Sequence, residues 1–196
     1  PKNYGQVLIY ENNSNQKITA VKTFYQSESN NNEIKEQFIA SIQKMKLFEH
    51  CNIIPILDYT VPSQTQQPQI SYEYMYQGSL EELMKERSKG IPNILSNKAS
   101  VAKIIEGIIL GMIYLHSNGI DHLDLKPSNI LINNQGEAMI TDYWNEVLIK
   151  TGATISMPIE VQRYKNPNET NINDRYSFCV ILYELLNEIP LYPEDI

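Results

Sequence analysis

The segment at residues 121–132 constrains this chain more than any other part of its 196 residues. It offers Asp124, Lys126 two residues on and Asn129 five residues on, and an apolar run follows at once. Such a run predicts a strand, so the polar side chains lie on a loop before it. A second acid, Asp142, comes just past a predicted hairpin whose turn is residues 133–136. Two carboxylates and an amide are therefore expected to converge, although Asp and Asn are also common turn residues.

The order of these residues matches a known pattern. Residues 122–129 spell H-L-D-L-K-P-S-N and residues 142–144 spell D-Y-W. They resemble the catalytic loop H-R-D-L-x-x-x-N and the D-F-G segment of eukaryotic protein kinases. The lysine-proline pair is similar to the serine/threonine-specific branch. The roles that the resemblance implies are substrate hydroxyl for Asp124, transferred phosphate for Lys126, and magnesium for Asn129 and Asp142.

Segments nearer the amino terminus resemble the family's nucleotide-binding motifs. In the predicted strand at residues 18–24, alternate side chains share a face, which puts Lys22 among apolar neighbours where it needs an anionic partner. The strand is similar to V-A-I-K, whose lysine holds ATP phosphates, and residues 73–80 are similar to the hinge E-Y-M-x-x-G-S-L. Tyr72 falls at the gatekeeper position. The ATP-binding residues that the resemblance implies are Val7, Ala20, Lys22, Glu73, Met75 and Leu131.

The resemblance covers the whole chain and predicts its fold class. We expect an α+β, bilobal protein kinase-like fold, with an antiparallel sheet and a C-helix in the small lobe. The large lobe is expected to be mainly helical and truncated after its central helix. The expected boundaries are 1–72 for the small lobe, whose glycine-rich loop is incomplete, 73–77 for the hinge, and 78–196 for the large lobe, incomplete at its C-terminus.

Apolar spacing predicts amphipathic helices at about residues 32–47 and 101–115, and Asn118-Gly119 ends the second. We interpret the second as a buried helix and not as a membrane span, because glycines and Glu106 interrupt it. Residues 174–186 resemble the family's central large-lobe helix, in which Asp174 would anchor the catalytic loop. His50 and His116 are interpreted as packing or turn residues, and His122 as a family residue packed beneath Tyr143.

The net charge of −7 and a pI near 5.0 argue against a nucleic-acid partner, which needs a basic surface. Cys51 and Cys179 stand in apolar contexts without partner spacing, so we expect reduced core residues of a cytoplasmic protein. Partners are expected to be a protein substrate or a signalling protein. The cofactors that the resemblance implies are ATP, as substrate, and Mg²⁺.

Several positions depart from the family pattern, and they leave two functions open. Lys2 stands where the second glycine of the loop belongs, Ser41 where the C-helix glutamate belongs, Leu123 where the arginine belongs, and Trp144 and Ala153 replace a glycine and a threonine. The first hypothesis is a serine/threonine kinase of the tyrosine-kinase-like type with low activity. The alternative is a pseudokinase that senses nucleotide or acts as a scaffolding interaction module. A small-molecule phosphotransferase is disfavoured by the hinge and Lys-Pro motifs.

Overall fold

The computed structural model describes residues 5–11, 18–24, 32–61, 67–143, 164 and 174–188. These residues form two compact units. The first unit takes the described residues up to His50 and those from Ile54 to Tyr74. The second takes Cys51–Ile53, Met75–Tyr143 and the described residues beyond. A sheet dominates the first unit and helices the second, which confirms the predicted α+β class.

Four strands of the described chain form an antiparallel sheet in the first unit. They are β1 (Gly5–Glu11), β2 (Ile18–Phe24), β3 (Ile56–Thr60) and β4 (Gln69–Glu73), in the order β1-β2-β4-β3. β4 shows the expected alternation, since Ile70 and Tyr72 are buried between more exposed neighbours. Helix α1 (Asn32–Met45) buries Ile42 and Met45, which are three residues apart and so share one helix face.

The short loop after α1 belongs to the second unit. Asn52 is buried there, donates from Nδ2 to the carbonyl of Ala138 at 2.9 Å, and accepts from the Ile140 N–H at 2.8 Å. Gly107 and Gly111 leave room for it: a Cβ on Gly107 would lie 2.7 Å from Asn52 Nδ2, and one on Gly111 would lie 2.9 Å from Asn52 O. The two glycines therefore provide the space in which the Asn52 loop packs.

The first helix of the second unit is α2 (Leu80–Ser88), and after a 3₁₀ turn at Ile94–Ser96 the long α3 (Lys98–Ser117) follows. Ser79 starts α2 with a capping box, because its hydroxyl accepts from the Glu82 N–H and the Glu82 carboxylate accepts from the Ser79 N–H. α3 ends at Ser117 with Asn118 as its C-cap, so the helix stops where the Asn118-Gly119 pair predicted, and Gly119 has a φ of 74°.

Among the described helices, α3 alone is long and apolar enough to cross a membrane by length and composition. Its side chains at Ile104, Ile108 and Leu115 are fully buried, and α3 packs on the hairpin described next. We therefore interpret α3 as a core helix.

The predicted hairpin is present as β5 (Ile130–Ile132) and β6 (Ala138–Ile140), paired with Ile130 opposite Ile140. The last described helix, α4 (Asp174–Asn187), buries Val180, Ile181 and Leu185.

The prediction of core cysteines was wrong. Cys51 and Cys179 are both free and exposed, because Cys51 lies on the turn after α1 and Cys179 on the outer side of α4. An apolar sequence context did not reveal which way these two side chains point.

Candidate active site

The loop before β5 holds Asp124, Lys126 and Asn129 together. Lys126 Nζ donates to Asp124 Oδ2 at 2.9 Å. Asn129 Nδ2 donates to the same oxygen at 3.1 Å and to the Asp124 carbonyl at 2.8 Å. The side chains of Asp124 and Lys126 are largely buried, so this ion pair is less screened than one on the surface. Of the predicted convergence of two carboxylates and an amide, these contacts confirm the pair Asp124 and Asn129.

A short 3₁₀ turn, Pro127–Asn129, produces this geometry. Pro127 stands at its first position, where its missing N–H has no helical partner to lose. The Asn129 N–H closes the turn on the Lys126 carbonyl at 2.9 Å. The turn therefore brings Asn129 back over Asp124 and leads directly into β5.

His122 fixes the start of the loop from inside the unit. Its side chain is fully buried, and Nε2 lies 2.7 Å from the Thr141 carbonyl, which can only accept. Nε2 must therefore carry a proton. Nδ1 accepts from the Asp124 N–H at 3.3 Å. The imidazole thus links the catalytic loop to the residue before Asp142 and is not available as a general base.

Asp142 lies beside Asn129 because of the hairpin register. One residue outside the Ile130–Ile140 pair, the Thr141 N–H donates to the Asn129 carbonyl at 3.0 Å, and Asp142 follows. Asp142 is buried and has a φ of 63°, a conformation that costs a non-glycine residue free energy. Such strain is typical of functional sites, where the surrounding structure holds it.

The donor chemistry of this pair fits magnesium. The amide nitrogen of Asn129 is committed to Asp124, which fixes the position of its oxygen Oδ1. Asp142, which follows the Thr141 that is bonded to Asn129, supplies a carboxylate. Mg²⁺ prefers oxygen ligands and is commonly held by one or two side chains together with substrate phosphates. Asn129 and Asp142 would hold the ion.

The residues expected to bind nucleotide lie on several strands. In the first unit, Val7 of β1 is directly opposite Lys22 of β2, and Ala20 of β2 is directly opposite Tyr72 of β4. Ala20 is buried and Lys22 is half-buried. Three further residues complete the expected set: Glu73 at the end of β4, Met75 just after it, and Leu131 in β5.

Asp174 anchors the catalytic loop, as the sequence implied. Its carboxylate is buried at the start of α4; Oδ2 accepts from the His122 N–H at 2.7 Å and Oδ1 from the Leu123 N–H at 2.9 Å. Leu123 has a φ of 62°, so this bond holds a second strained residue. The conformation of the loop that carries Asp124 therefore depends on a residue 50 positions further along the chain.

The protein kinase domain family matches residues 3–196, almost the whole chain. The chain belongs to the protein kinase family. It is similar to Serine/threonine-protein kinase BRI1-like 1 of Arabidopsis thaliana, with 31% identity over 163 residues that make up 77% of this chain and 14% of that protein. It is similarly related to Brassinosteroid LRR receptor kinase BRI1 of Oryza sativa subsp. japonica, with 31% identity over 79% of this chain and 14% of that protein.

A shorter relative gives a similar result. Serine/threonine-protein kinase GRIK2 of Arabidopsis thaliana is 26% identical over 71% of this chain and 34% of its own length. The chain thus spans about a seventh of the two receptor-kinase relatives and about a third of this one. The similarity therefore concerns the kinase domain.

Some departures of this kinase domain from its family can be located. Ser41 is half-buried on α1, in the same unit as Lys22, and Leu123 lies in the anchored loop. The residues at Lys2, Trp144 and Ala153 and the side chain of Gln37 lie outside the described part of the chain. The C-helix position of this kinase thus offers a hydroxyl where the family has a carboxylate.

Tyr143, next to Asp142, is fully buried, and this burial together with the nearby Tyr114 raises the pKa of its hydroxyl well above the usual range. The phenol is therefore neutral at every physiological pH. His122 and Tyr143 both belong to the fully buried core of the kinase's second unit.

Two parts of this site were missed from the sequence. Asn52 received no role, although it holds β6 through its side chain and backbone. His116 is expected to be a satisfied packing or turn residue, which agrees with its hydrogen bond, but the sequence did not identify its partner, Asp174 Oδ2, at 2.9 Å from Nε2. No local signal joins residues 58 positions apart; a polar residue in the last turn of an apolar helix was the available clue.

Proposed function

We propose that this domain transfers the γ-phosphate of ATP to serine or threonine hydroxyls of protein substrates. The observation that supports the proposal most directly is the network of Asp124, Lys126 and Asn129, in which one carboxylate is oriented by an ammonium group and an amide. Phosphoryl transfer needs little covalent help from a protein and depends on positioning and charge neutralisation. These three side chains are suited to both tasks.

In the proposed reaction the substrate hydroxyl oxygen attacks the γ-phosphorus, and the bond from phosphorus to the bridging oxygen of ADP breaks. The hydroxyl proton passes to the carboxylate of Asp124. Lys126, already 2.9 Å from that carboxylate, neutralises charge on the phosphoryl oxygens as it moves between the two partners. When bound to Asn129 and Asp142, magnesium would neutralise phosphate charge.

Nucleotide binding is assigned by the same proposal to residues of β2 and to the chain at and just after the end of β4. Lys22 would hold the α- and β-phosphates, and Ala20 would lie against adenine, where its small side chain is already buried. The backbone of Glu73 and Met75 would bond the adenine edge. Ser41 provides no carboxylate to orient Lys22, so we expect lower activity than in kinases that have the ion pair.

The proposal is tested by phosphate transfer from labelled ATP to a generic protein substrate, with magnesium, for the wild type and Asp124→Asn. Loss of the base should lower transfer by about a thousandfold. Asp58→Asn is the matched control, because it makes the same chemical change at a well-exposed carboxylate on β3. Equal transfer by the wild type and Asp124→Asn would refute the proposal.

A pseudokinase that acts as a nucleotide-sensing or scaffolding module is the second candidate, and Ser41 is the observation that favours it. Its nucleotide-sensing form predicts that ATP raises the melting temperature equally in the wild type and in Asp124→Asn, with no transfer by either. The scaffolding form predicts no shift with ATP. Transfer that depends on Asp124 would rule out both forms.

We further propose a cytoplasmic location and protein partners. The two free cysteines support the first proposal, because exposed thiols persist in reducing compartments. The acidic net charge supports the second over nucleic acids. Detection of the protein only in a secreted or membrane-bound fraction would contradict the proposed location.

A further inference from the structure

The end of α3, the start of the catalytic loop and the start of α4 meet at a cluster of His116, Asp121 and Asp174. Their ligand atoms lie within 4.8 Å of one another. Asp174 already accepts backbone N–H groups on both oxygens, one from His122 and one from Leu123. A carboxylate engaged in this way serves hydrogen bonding first, so we interpret the cluster as an anchor and not as a metal centre.

His116 must donate to Asp174. An ionised carboxylate has only acceptor sites, so the 2.9 Å contact requires a proton on Nε2. Asp174 Oδ2 is the oxygen that also accepts from the His122 N–H at 2.7 Å. The imidazole therefore holds the same oxygen that holds the loop.

The contact between His116 and Asp174 is important because the Asp174 carboxylate is buried. The Asp174 side chain is only 3% exposed and has lost most of its hydration, whereas His116 is 31% exposed and can reach both solvent and the carboxylate. A buried carboxylate needs its donors, since each missing hydrogen bond leaves a desolvation cost uncompensated. Asp121 Oδ1 lies 3.9 Å from the same Nε2, but Asp121 is 70% exposed and contributes little.

We propose that His116 is a positioning residue for the catalytic loop, acting through Asp174. It keeps the Asp174 carboxylate oriented toward the His122 and Leu123 N–H groups. That orientation maintains the left-handed conformation of Leu123 and thereby the direction of Asp124. This inference rests on the proposed kinase activity only for its effect on rate; its structural part stands independently.

The test compares His116→Leu, which removes the donor, with His116→Gln, whose amide nitrogen can occupy the position of Nε2. His116→Asn adds a shorter amide that does not reach Asp174. Ser117→Ala is the matched control, because Ser117 is exposed and its hydroxyl bonds only within its own helix, to the Tyr114 carbonyl.

The first readout is amide hydrogen exchange, which does not depend on activity. We expect the His122 and Leu123 amides to exchange about tenfold faster in His116→Leu and His116→Asn, and near the wild-type rate in His116→Gln and Ser117→Ala. Amides in the middle of α3, such as that of Ile108, should be unchanged. Unchanged loop amides in His116→Leu, or equally faster exchange throughout α3, would overturn the proposal.

The second readout is steady-state phosphate transfer. We expect kcat to fall about tenfold in His116→Leu with the KM for ATP within about twofold, and His116→Gln to restore most of the loss. A rise in KM without a fall in kcat would contradict a loop-positioning role. If the wild type transfers no phosphate, the proposed function fails, and the exchange measurement alone decides the role of His116.

Discussion

The catalytic loop around Asp124 and the strand β2, which carries Lys22, are supported in different ways. The proposed chemistry assigns phosphate transfer to the first and nucleotide binding to the second. Around Asp124, the buried groups of His122, Asn129 and Asp174 hold each turn of the loop by hydrogen bonds of 2.7–3.3 Å. Lys22 instead lies on β2, whose outer neighbour β1 is exposed from residue 6 to residue 11. The catalytic loop is thus held by buried groups, whereas the strand that carries Lys22 pairs with an exposed strand.

The sequence departs from its family in both regions, but in the catalytic loop the side chains that form hydrogen bonds are those of the family pattern. Asp124, Lys126 and Asn129 match it, whereas Leu123, which does not match, takes part through its backbone N–H. Near the nucleotide, positions 2 and 41 do not match. A network of buried hydrogen bonds tolerates few substitutions, because each loss leaves a buried group unsatisfied. A half-exposed sheet tolerates more of them. The predictions below test this contrast.

The largest effect is expected from Asp174→Ala. It removes the acceptor of two backbone N–H groups, one of them buried, and the partner of His116, which should lower the free energy of unfolding by about 4 kcal/mol. Urea unfolding measures this. Asp121→Ala, at an exposed carboxylate in the same cluster, should cost less than about 0.5 kcal/mol. Similar losses for both variants would mean that the loop is not anchored as described.

Gly111→Ala tests how tightly the second unit is packed. The new Cβ would lie 2.9 Å from the backbone oxygen of Asn52 and 2.8 Å from Ile140 Cδ1, so we expect a loss of about 2 kcal/mol despite the better helix propensity of alanine. Gly107→Ala meets the Asn52 and Ala138 side chains instead and should cost less. The order of the two melting temperatures decides: a lower value for Gly107→Ala would contradict the proposed contact with backbone.

Ser41→Glu tests the first unit, at the position where the family has a glutamate. It restores the carboxylate that the family uses to orient the lysine, and kcat/KM for ATP should rise about fivefold, which corresponds to the strength of one ordinary ion pair. Gln43→Glu adds the same charge at an exposed position of α1 and serves as the control. An equal response of both variants would show that Ser41 does not limit the activity.

The smallest effect concerns Glu137, whose carboxylate accepts from Asn133 and lies 3.2 Å from Lys103. The hydrogen bonds from Asn133 and Lys103 hold the pKa of Glu137 below its ordinary value. A lowered folded-state pKa stabilises the protein above the unfolded-state pKa, and the contribution disappears as the pH falls through the folded-state value. Glu137→Gln should therefore cost about 0.3 kcal/mol at neutral pH and nothing in strong acid, as denaturation at both pH values would show.

Local patterns predicted the parts of this molecule that local forces build. The hairpin of β5 and β6, the end of α3 at Asn118-Gly119 and the convergence of Asp124 with Asn129 all depend on residues a few positions apart. Family resemblance supplied the long-range contact of Asp174 with the loop, which periodicity alone does not encode. The α+β class was likewise implied by the resemblance.

Contacts between distant residues without a motif were missed. The packing of Asn52 against Gly107 and Gly111 depends on the absence of two side chains. In the sequence these two glycines look only like interruptions of a helix. The exposed side chains of Cys51 and Cys179 were wrongly assigned to the core, because an apolar neighbourhood in sequence does not determine which face of a turn or helix a residue occupies.

The position of Asn52 also bears on how such a domain can be inherited and recombined. The chain leaves the first unit at residue 51, returns at residue 54 and leaves again after Tyr74. A gene break at any single point therefore separates residues that one unit needs from the rest of that unit. Exchange of residues 5–74 between relatives would carry along Cys51–Ile53, which belong to the second unit, so we expect the two units to be inherited together.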